Sequence, residues 1–396
     1  MTTHTPLPTT AQTDRIVGCL LGLAVGDALG APIVGWTAAE VQERLGGVHD
    51  YPDLWRTPGL YTSRAQQALC LLDVLLEDGQ FDPLSLAARF VQMSKMLHQK
   101  WPIYGAFRGT SRGFREAVDL LARGTPWDQA GMLSAANDPA VRVAPLALWS
   151  RERRLVQFRE DVARSAWLTH RDPRAVMGAL VMGYALIHLV NLPSPARFQP
   201  SQFLREVVAF AKSNEGWVGK HYTLPEANLP PDAVKDVTTV LGRYEGWLTL
   251  STTALLEQIT RFSRPLGDRN VRATSPFTVA SLTTALLLFA RQPGLGDAVQ
   301  TAVNLGGDTA GIGALVGALG GALHGVKSIP SAWLAGLQNR DFIQGRAEAL
   351  AQGAGLPPDA PKLTRVEAAL TEAEIPRIKA KHAGMTEDEG PKTKDE

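Results

Sequence analysis

Hydrophobic positions along this chain recur mostly at helical spacing, and few segments alternate with the period of two that marks a strand. The segment DRIVGCLLGLAVGDALG near the N-terminus is apolar nearly all round and predicts a central, buried helix. The segment SRAQQALCLLDVLLEDG predicts another helix, with Thr62 or Ser63 as its N-cap and Gly79 as its stop. Asp-Pro pairs beginning at Asp82 and Asp172 predict two further helix starts. About ten such segments, joined by glycine- and proline-rich loops, predict an all-α fold.

The predicted domain organisation follows from where the helical pattern begins and ends. Residues 1–13 are rich in threonine and proline and predict a disordered leader. Residues 14–375 carry the helical segments without a repeat of solenoid length, which favours one compact all-α domain over several. The polar stretch RIKAKHAGMTEDEGPKTKDE predicts a disordered charged tail over residues 376–396.

Glycines recur every four residues in the last apolar segment, at Gly313, Gly317, Gly321 and Gly325. Such spacing can mark a pair of membrane helices. Here the segment is short, an aspartate precedes it, and a histidine and a lysine lie near its end. We therefore interpret it as a soluble helix whose glycine face lets another backbone approach closely.

Composition mainly excludes classes of protein and of partner. The 40 Lys and Arg residues balance 39 Asp and Glu residues, so the formal net charge of +1 gives no global field for nucleic acid or an anionic membrane. Two cysteines, Cys19 and Cys70, make no disulfide framework, and no Cys/His pair has zinc spacing. The apolar run next to Cys19 follows the cysteine and is interrupted by Asp27, which is the wrong order for a signal peptide. We expect a cytoplasmic protein with no nucleic-acid and no membrane partner.

Two segments place polar groups at the mouths of buried apolar helices. One contains Asp27, in VGDALGAP, and the other is NLGGDTAG, in which Gly306 and Gly307 precede Asp308 and Thr309 at a helix start. A glycine-rich turn into a helix N-terminus can bind an anion, because free backbone N–H groups point outward along the helix dipole. Simple N-capping by Asp308 is the alternative interpretation, and the pattern leaves both open.

Five segments occur in a characteristic order: GCLLGLAVGDALGAP, PGLYTSRAQQAL, NDPAVRVAPLALW, THRDPRAVMGAL and AVNLGGDTAGIGALVGALGGALHG. Together they resemble the ADP-ribosylglycohydrolase family, and in particular its dinitrogenase-reductase-activating glycohydrolases. The resemblance covers roughly residues 14 to 330 and is weakest between about 191 and 272. It implies an all-α fold of a dozen or more helices. It also implies cleavage of ADP-ribose from arginine or other side chains, with a pair of magnesium ions in a central cleft.

The chain departs from the family's pattern at the metal ligands. The family reads Thr-Asp-Asp-Thr where this chain reads Thr-Ser-Arg-Ala over residues 62–65. The family's Gly-Gly-Asp-Thr-Asp-Thr block has Ala310 here in place of its second aspartate, and Val34 lies near the position of a glutamate that many members carry. Magnesium gains most of its affinity from carboxylates in near-octahedral geometry. We therefore expect no cofactor, and Mg²⁺ only if the family site is partly retained.

Arg64 is the replacement with the largest chemical effect. We expect its guanidinium to lie where a metal would sit and to face Asp308, the one acidic ligand that clearly survives. A fixed cation there would neutralise the carboxylate and could still attract a diphosphate, since a guanidinium binds carboxylate or phosphate bidentately. Thr62, Ser63 and Thr309 could still offer hydroxyl groups. A solvent-facing Arg64 is the alternative.

Other positions carried over from the family pattern complete the predicted site. Asn137 matches the asparagine of a Gly-Asn-Gly turn near the phosphates, although Asp138 beside it would repel a phosphate. His170, in THRDP, could contact a ribose, and Arg142 could be either an internal ion-pair partner or a ligand contact. The predicted ligand-binding set is Thr62, Ser63, Arg64, Asn137, His170, Gly306, Gly307, Asp308 and Thr309.

Three functions remain open at this point. The first is a non-catalytic or weakly active binder of ADP-ribose, a related nucleotide or an ADP-ribosylated protein, since the scaffold segments are intact beside a dismantled metal site. The second is an ADP-ribosyl hydrolase with altered or metal-independent chemistry, in which Asp308 or Asp27 is the general base. The third is a structural or interaction protein that retains only the fold. A collapsed or filled cleft would favour the third function.

Overall fold

The computed structural model describes residues 9–97, 103–224, 229–230 and 232–388 of the chain. Within them the backbone forms nineteen α-helices, and strand pairing is limited to isolated bridges, which confirms the all-α prediction. In chain order the helices are α1 (Thr10–Gly30), α2 (Ala38–Leu45), α3 (Ser63–Asp78), α4 (Pro83–Lys95), α5 (Arg112–Ala122), α6 (Asp138–Arg142), α7 (Ala144–Trp149), α8 (Leu155–Trp167), α9 (Pro173–Asn191), α10 (Pro200–His221), α11 (Asp236–Leu241), α12 (Tyr244–Trp247), α13 (Thr252–Ser263), α14 (Thr278–Arg291), α15 (Leu295–Asn304), α16 (Thr309–His324), α17 (Ser331–Gly336), α18 (Arg340–Gln352) and α19 (Leu363–Asp388). Short 3₁₀ turns cover Ala31–Ile33, Pro195–Arg197, Ala233–Lys235, Arg264–Leu266 and Val326–Ser328.

Helices α1 and α16 meet backbone to backbone at the centre of the fold. Glycine stands at every fourth position from 18 to 30 of α1, facing the glycines of α16. A Cβ atom on Gly22 would lie 2.2 Å from the carbonyl oxygen of Gly317, and one on Gly26 would lie 2.0 Å from that of Gly313. The predicted close approach along the glycine face of α16 is thus confirmed, with α1 as the partner. This contact places the C-terminal end of α1 beside the N-terminal end of α16.

The two longest apolar helices of the described residues are inside the protein. By length and composition alone, residues 10–33 and α9 could cross a membrane. Their apolar windows are 100% and 89% buried, and one contiguous hydrophobic cluster includes both. In this fold both segments are core helices.

Helix starts follow the predicted capping residues. The Thr62 hydroxyl accepts a hydrogen bond from the Arg64 amide at 3.3 Å and begins α3, which ends at Gly79 with a φ of 66°. Asp82 and Asp172 cap α4 and α9 through their carboxylates, each followed by proline at the first helical position. The local sequence therefore fixes where Arg64 enters the helix that carries it.

The described structure begins earlier than the predicted domain. Helix α1 starts at Thr10 with Thr9 as its N-cap, so the disordered leader predicted for residues 1–13 is wrong for its last turn. The hydroxyl of Thr9 accepts from the amide of Gln12 at 3.2 Å, which explains the earlier start. Residues 1–8 of the predicted leader lie outside the described residues.

The C-terminal helix likewise contradicts the predicted tail. Helix α19 continues through Pro376 to residue 388, so the prediction of disorder over 376–396 is wrong for 376–388. The reason is apolar spacing that continues into the charged stretch: Ile375, just before it, and Ile378, within it, are each 7% exposed and cluster with Ile103. Residues 389–396 lie outside the described residues.

Candidate functional site

An open cleft of about 1320 Å³ lies where the starts of α3 and α16 face α13 and the loop before α14. We call the three buried charged residues that line its base, Arg64, Asp138 and Asp308, the cleft floor. The cleft is neither collapsed nor filled by side chains. It lies at the predicted site, since Arg64, Gly307 and Asp308 are among its lining residues.

Arg64 faces Asp308, as expected from the sequence. Its Nη2 atom lies 2.7 Å from Asp308 Oδ1, and the two residues are 8% and 3% exposed, so a solvent-facing Arg64 is excluded. The other oxygen of Asp308, Oδ2, accepts a hydrogen bond from Asn137 Nδ2 at 2.7 Å. Oδ1 has no hydrogen-bond partner in the described structure, because the guanidinium contact lacks hydrogen-bond geometry. Charge therefore holds this pair.

Three carboxylates surround the Arg64 guanidinium. Burial opposes its charge, yet Asp308, Asp138 and Asp27 together hold the pKa of Arg64 above its ordinary value. Arg64 is thus a permanent cation on the cleft floor, at the first turn of a helix where a positive charge is otherwise disfavoured. The neighbouring carboxylates account for its placement.

Asp27 anchors the start of α3 and does not line the cleft. Its carboxylate accepts from the amide of Thr62 at 3.0 Å, the hydroxyl of Thr62 at 3.0 Å and the amide of Ala65 at 2.9 Å. Burial raises the pKa of Asp27, against the effect of these hydrogen bonds. With its oxygens so occupied and no exposed surface, Asp27 lacks access to a ligand, and its predicted role as a general base has no support in this geometry.

Asp138 forms the second acidic part of the cleft floor. It accepts from Gln67 Nε2 and from the Ser111 hydroxyl, each at 3.2 Å, and its Oδ2 lies 3.7 Å from His170 Nε2. Although burial opposes ionisation, the nearby His170 imidazole and the Arg64 charge hold the pKa of Asp138 below its usual range. Burial lowers the pKa of His170. His170 lies fully buried behind Asp138, so its predicted ribose contact would be indirect.

Arg142 is an internal partner and not a ligand contact. Its guanidinium is fully buried and donates to Gln67 Oε1 at 2.9 Å and to the carbonyl oxygen of Ser165. Burial lowers its pKa to about 10. Because Gln67 in turn donates to Asp138, Arg142 supports the cleft floor from behind.

The glycine turn before α16 joins two walls of the cleft. Gly306 and Gly307 have φ angles of 72° and 73°, which favour glycine. The Gly307 amide donates to the Trp36 carbonyl and the Asp308 amide donates to the Thr274 carbonyl, both at 2.7 Å. These two amides are therefore not free for an anion. The side chain of Asp308 makes no capping hydrogen bond, so the N-capping interpretation is wrong, while the anion-binding interpretation loses only these two amides.

Three predicted hydroxyl ligands point into the protein. Thr62 donates to Asp27, Ser63 donates to the Gly109 carbonyl at 3.2 Å, and Thr309 donates to the Gly30 carbonyl at 2.7 Å. None of the three lines the cleft, because each hydroxyl is turned toward an acceptor inside the protein. Of the nine predicted ligand-binding residues, Arg64, Gly307 and Asp308 line the cleft, whereas Thr62, Ser63, Asn137, His170, Gly306 and Thr309 lie behind its surface.

The residues of this site do not fit a pair of magnesium ions. No group of three or more His, Cys, Asp or Glu side chains within the described ranges could hold a metal ion. The surviving carboxylate, Asp308, already contacts the Arg64 guanidinium, so a metal ion could bind this carboxylate only if the ion pair separated. Ala310 is fully buried and offers no oxygen from its side chain.

Several buried polar atoms around the cleft floor lack a hydrogen-bond partner in the described structure. They are Arg64 Nε, Asn137 Oδ1, Asp138 Oδ2, His170 Nε2 and Asp308 Oδ1. Asp308 Oδ1 contacts the Arg64 guanidinium, and Asp138 Oδ2 faces His170 Nε2. At these three atoms electrostatic contacts take the place of hydrogen bonds.

The C-terminal helix supports the cleft through a buried acidic residue. Glu367 on α19 accepts from Arg108 Nη2 at 2.7 Å, Gln66 Nε2 at 2.8 Å and the Tyr61 hydroxyl at 2.5 Å. The carbonyl of Arg108 accepts from the Ser63 amide at 2.6 Å, immediately before Arg64. Helix α19 thus holds the segment from which the cleft floor begins.

Sequence reasoning missed the residues of the outer cleft. Trp36 lines it half-buried, with the Arg44 guanidinium 5.0 Å from its ring centroid. Three arginines of the segment RFSRPLGDRNVR also line it, namely Arg261, Arg264 and Arg272. The density of arginine in that segment was the available signal, but it lies where the family resemblance is weakest.

Comparison with known proteins agrees with the fold. The family model for ADP-ribosylglycohydrolase matches residues 8–359. An uncharacterized protein of Archaeoglobus fulgidus is 28% identical over 85% of this chain and 96% of its own length. The ADP-ribosylarginine hydrolase Tri1 of Serratia proteamaculans is 23% identical over 87% of this chain and 81% of its own length. A solved structure described as an ADP-ribosylglycohydrolase-related protein complex covers 87% of this chain and 100% of its own, with 26% identity and a TM-score of 0.61.

The chain is an all-α protein with a central glycine-packed pair of helices and a cleft at its helix starts. This chain belongs to the ADP-ribosylglycohydrolase family. The resemblance stated from the sequence is confirmed, and the matched residues end before α19 begins.

Proposed function

We propose that this protein binds ADP-ribose, or a closely related nucleotide, in the cleft without magnesium and without efficient hydrolysis. The observation that carries the proposal is the Arg64–Asp308 ion pair, which lies beside Asp138 on the floor of an open cleft. The carboxylates of Asp308 and Asp138 line the cleft and can accept from ribose hydroxyls, while the Arg64 guanidinium attracts the diphosphate. The bound molecule is free ADP-ribose or the same group on a modified protein.

Loss of turnover follows from the charges on the cleft floor. A relative is named ADP-ribosylarginine hydrolase. The family resemblance implies that such cleavage uses carboxylate-held magnesium. Here Ser63, Arg64 and Ala310 replace three of those carboxylates, and a fixed guanidinium supplies positive charge without activating a water molecule. Arg64 therefore supports ligand binding in place of the metals but not their catalysis.

The two other functions receive less support from the same geometry. Glycoside cleavage usually needs a pair of carboxylates, one as acid and one as base or nucleophile. Asp27 is sealed behind α3 and Asp308 is paired with Arg64, so neither has the free position that a metal-independent hydrolase needs. A purely structural role would leave no reason for an open cleft with buried charged residues at its base.

The test is a calorimetric titration of the full chain with ADP-ribose, once with excess magnesium and once with EDTA. Equal dissociation constants in the two titrations are expected, because the floor cation is Arg64. Binding only in magnesium would contradict the proposal and return a metal-dependent hydrolase as the better function. No binding in either condition would favour a structural role.

A turnover assay completes the test. ADP-ribosylarginine incubated with a high concentration of the enzyme should remain intact, with or without magnesium. Hydrolysis in EDTA that disappears in Asp308→Asn would contradict the non-catalytic part of the proposal. The Asp297→Asn variant, on α15 and outside the cleft, is the matched control.

A further inference from the structure

A second charged surface lines the cleft away from its floor. Arg261 at the end of α13, Arg264 in the following 3₁₀ turn and Arg272 in the loop before α14 are exposed and line the cleft. We call these three residues the arginine wall. None of them has a carboxylate within 4 Å in the described part of the chain.

Two hydrogen bonds hold the arginine wall together. The amide of Ala273 donates to Thr260 Oγ1 at 2.9 Å, which ties the loop carrying Arg272 to the last turns of α13. Arg264 Nε donates to the Val271 carbonyl at 3.4 Å, which ties the 3₁₀ turn to the same loop. The three arginines therefore come from adjacent, mutually bonded segments of backbone. They form one surface and not three independent side chains.

The arginine wall has an excess of positive charge. Glu257, one turn earlier on α13, is the one acidic residue of that part of the cleft lining, so three cations face a single anion. The acidic residues of the cleft floor, Asp138 and Asp308, already lie beside Arg64. A ligand that reaches the wall therefore meets unneutralised guanidinium groups.

Phosphate chemistry fits this surface better than a lone carboxylate does. A phosphomonoester carries nearly two negative charges and three acceptor oxygens, enough for several guanidinium forks at once. A single carboxylate is satisfied by one bidentate arginine. Hydroxyl groups of Thr253 and Thr274 on the same lining add donors for phosphate oxygens.

We infer that the arginine wall is a phosphate subsite, so that the ligand of this cleft carries a phosphomonoester in addition to its diphosphate. The inference rests on the proposed function, because it places this phosphate on the nucleotide whose ribose lies at the cleft floor. The cleft has room for it, since about 1320 Å³ exceeds the roughly 300–1,000 Å³ typical of small-molecule pockets. The ligand class is thus a phosphorylated derivative of ADP-ribose.

The experiment compares three probes by calorimetry on the full chain: ADP-ribose, ADP-ribose 2′-phosphate and inorganic pyrophosphate. We expect the 2′-phosphate to bind at least about tenfold more tightly than ADP-ribose, and pyrophosphate to bind measurably. In the Arg261→Gln/Arg264→Gln/Arg272→Gln variant, the advantage of the 2′-phosphate and the binding of pyrophosphate should both disappear. The Arg123→Gln/Arg197→Gln/Arg365→Gln variant removes the same charge from exposed positions outside the cleft and should behave as wild type.

The outcomes separate this inference from the proposed function. If ADP-ribose binds, the 2′-phosphate gives no advantage and pyrophosphate does not bind, the phosphate subsite is overturned and the proposed function stands. If pyrophosphate binds through the arginine wall but neither nucleotide binds, the subsite stands and the proposed function fails. If no probe binds, both are wrong. Equal losses in the wall variant and the control variant would also overturn the subsite, because only net charge would then matter.

Discussion

The guanidinium of Arg64 lies 2.7 Å from the carboxylate of Asp308, at the point where the starts of α3 and α16 meet. The two helix starts come together because α16 packs glycine to glycine on α1, while Asp27 at the end of α1 holds the first amides of α3. The ion pair is thus a consequence of the central packing and not of a flexible side chain finding a partner. It brings one fixed cation to the two carboxylates of the cleft floor, Asp138 and Asp308.

Replacing Arg64 should affect stability and binding together. Arg64→Gln leaves Asp308 and Asp138 buried without their cation, which should cost about 3–5 kcal/mol of unfolding free energy. Affinity for ADP-ribose should fall at least about tenfold in the same variant. Arg64→Lys keeps the charge and should recover most of the stability but less of the affinity, because the planar fork is lost.

Urea denaturation and calorimetry measure these two effects. Arg123→Gln, an exposed arginine outside the cleft, is the control and should change neither quantity. An Arg64→Gln protein as stable and as competent in binding as wild type would show that the ion pair has no role at the site.

Restoring the family's carboxylates should restore a metal response. In Ser63→Asp/Arg64→Asp/Ala310→Asp, three acids replace a hydroxyl, a cation and a methyl group at the positions of the family pattern. The Tm of this variant should rise in millimolar magnesium, since an ion that binds only the folded state stabilises it. The Tm of the wild type should not respond. The matched Ser63→Asn/Arg64→Asn/Ala310→Asn variant has similar shape without charge, and an equal response there would mean that magnesium acts elsewhere.

The sequence predicted the parts of the fold and site that depend on local pattern. Apolar periodicity and capping residues predicted α1 and α3, and the glycine spacing predicted the close contact of α16. The family pattern predicted that Arg64 faces Asp308, because both positions are aligned with metal ligands of the family. Each of these features is encoded within a few neighbouring residues.

The rest depends on contacts between distant segments. Thr62 and Thr309 were predicted to face a ligand, but their hydroxyls satisfy Asp27 and the Gly30 carbonyl, which no local pattern reveals. Helix α19 was missed beyond residue 375 because its charged composition hides two isoleucines at helical spacing. The arginine wall was missed because the outer cleft comes from α13 and its neighbours, where the resemblance gives least guidance.

Helix α19 should contribute substantially to stability through Glu367. Glu367→Gln removes the negative partner of Arg108, whose guanidinium stays buried, so the unfolding free energy should fall by about 3–5 kcal/mol. Glu372→Gln, on an exposed face of the same helix, should stay within about 0.5 kcal/mol of wild type in urea denaturation. Equal stability of the two variants would mean that α19 does not support the cleft.

Asp236 should make the unfolding free energy depend on pH. Burial raises the pKa of this carboxyl to about 6, against the attraction of Arg174, whose Nη1 lies 3.6 Å from Asp236 Oδ2. The unfolded chain ionises near pH 3.9, so between about pH 4 and pH 6 the folded state holds more protons and stability falls as pH rises. Asp236→Asn should therefore raise the unfolding free energy by on the order of 1–3 kcal/mol at pH 7.5 and hardly at all at pH 4.

Urea titrations at the two pH values test this prediction. Asp128→Asn, an exposed aspartate, is the control and should change stability little at either pH. A gain for Asp236→Asn that is the same at pH 4 and pH 7.5 would show that titration of this carboxyl is not its cause.

The glycine contact between α1 and α16 predicts opposite signs for two otherwise identical substitutions. Gly26→Ala places a Cβ atom 2.0 Å from the Gly313 carbonyl oxygen, where only backbone movement gives space. The substitution should therefore lower the unfolding free energy by about 1–3 kcal/mol or more. Gly216→Ala lies in α10 with nothing within 4 Å of its Cβ, so it should gain about 0.5–1 kcal/mol from helix propensity. Urea denaturation of both variants measures the difference. Stabilisation by Gly26→Ala would mean that the two helices do not touch, and the approach of α3 and α16 that brings Arg64 to Asp308 would then need another cause.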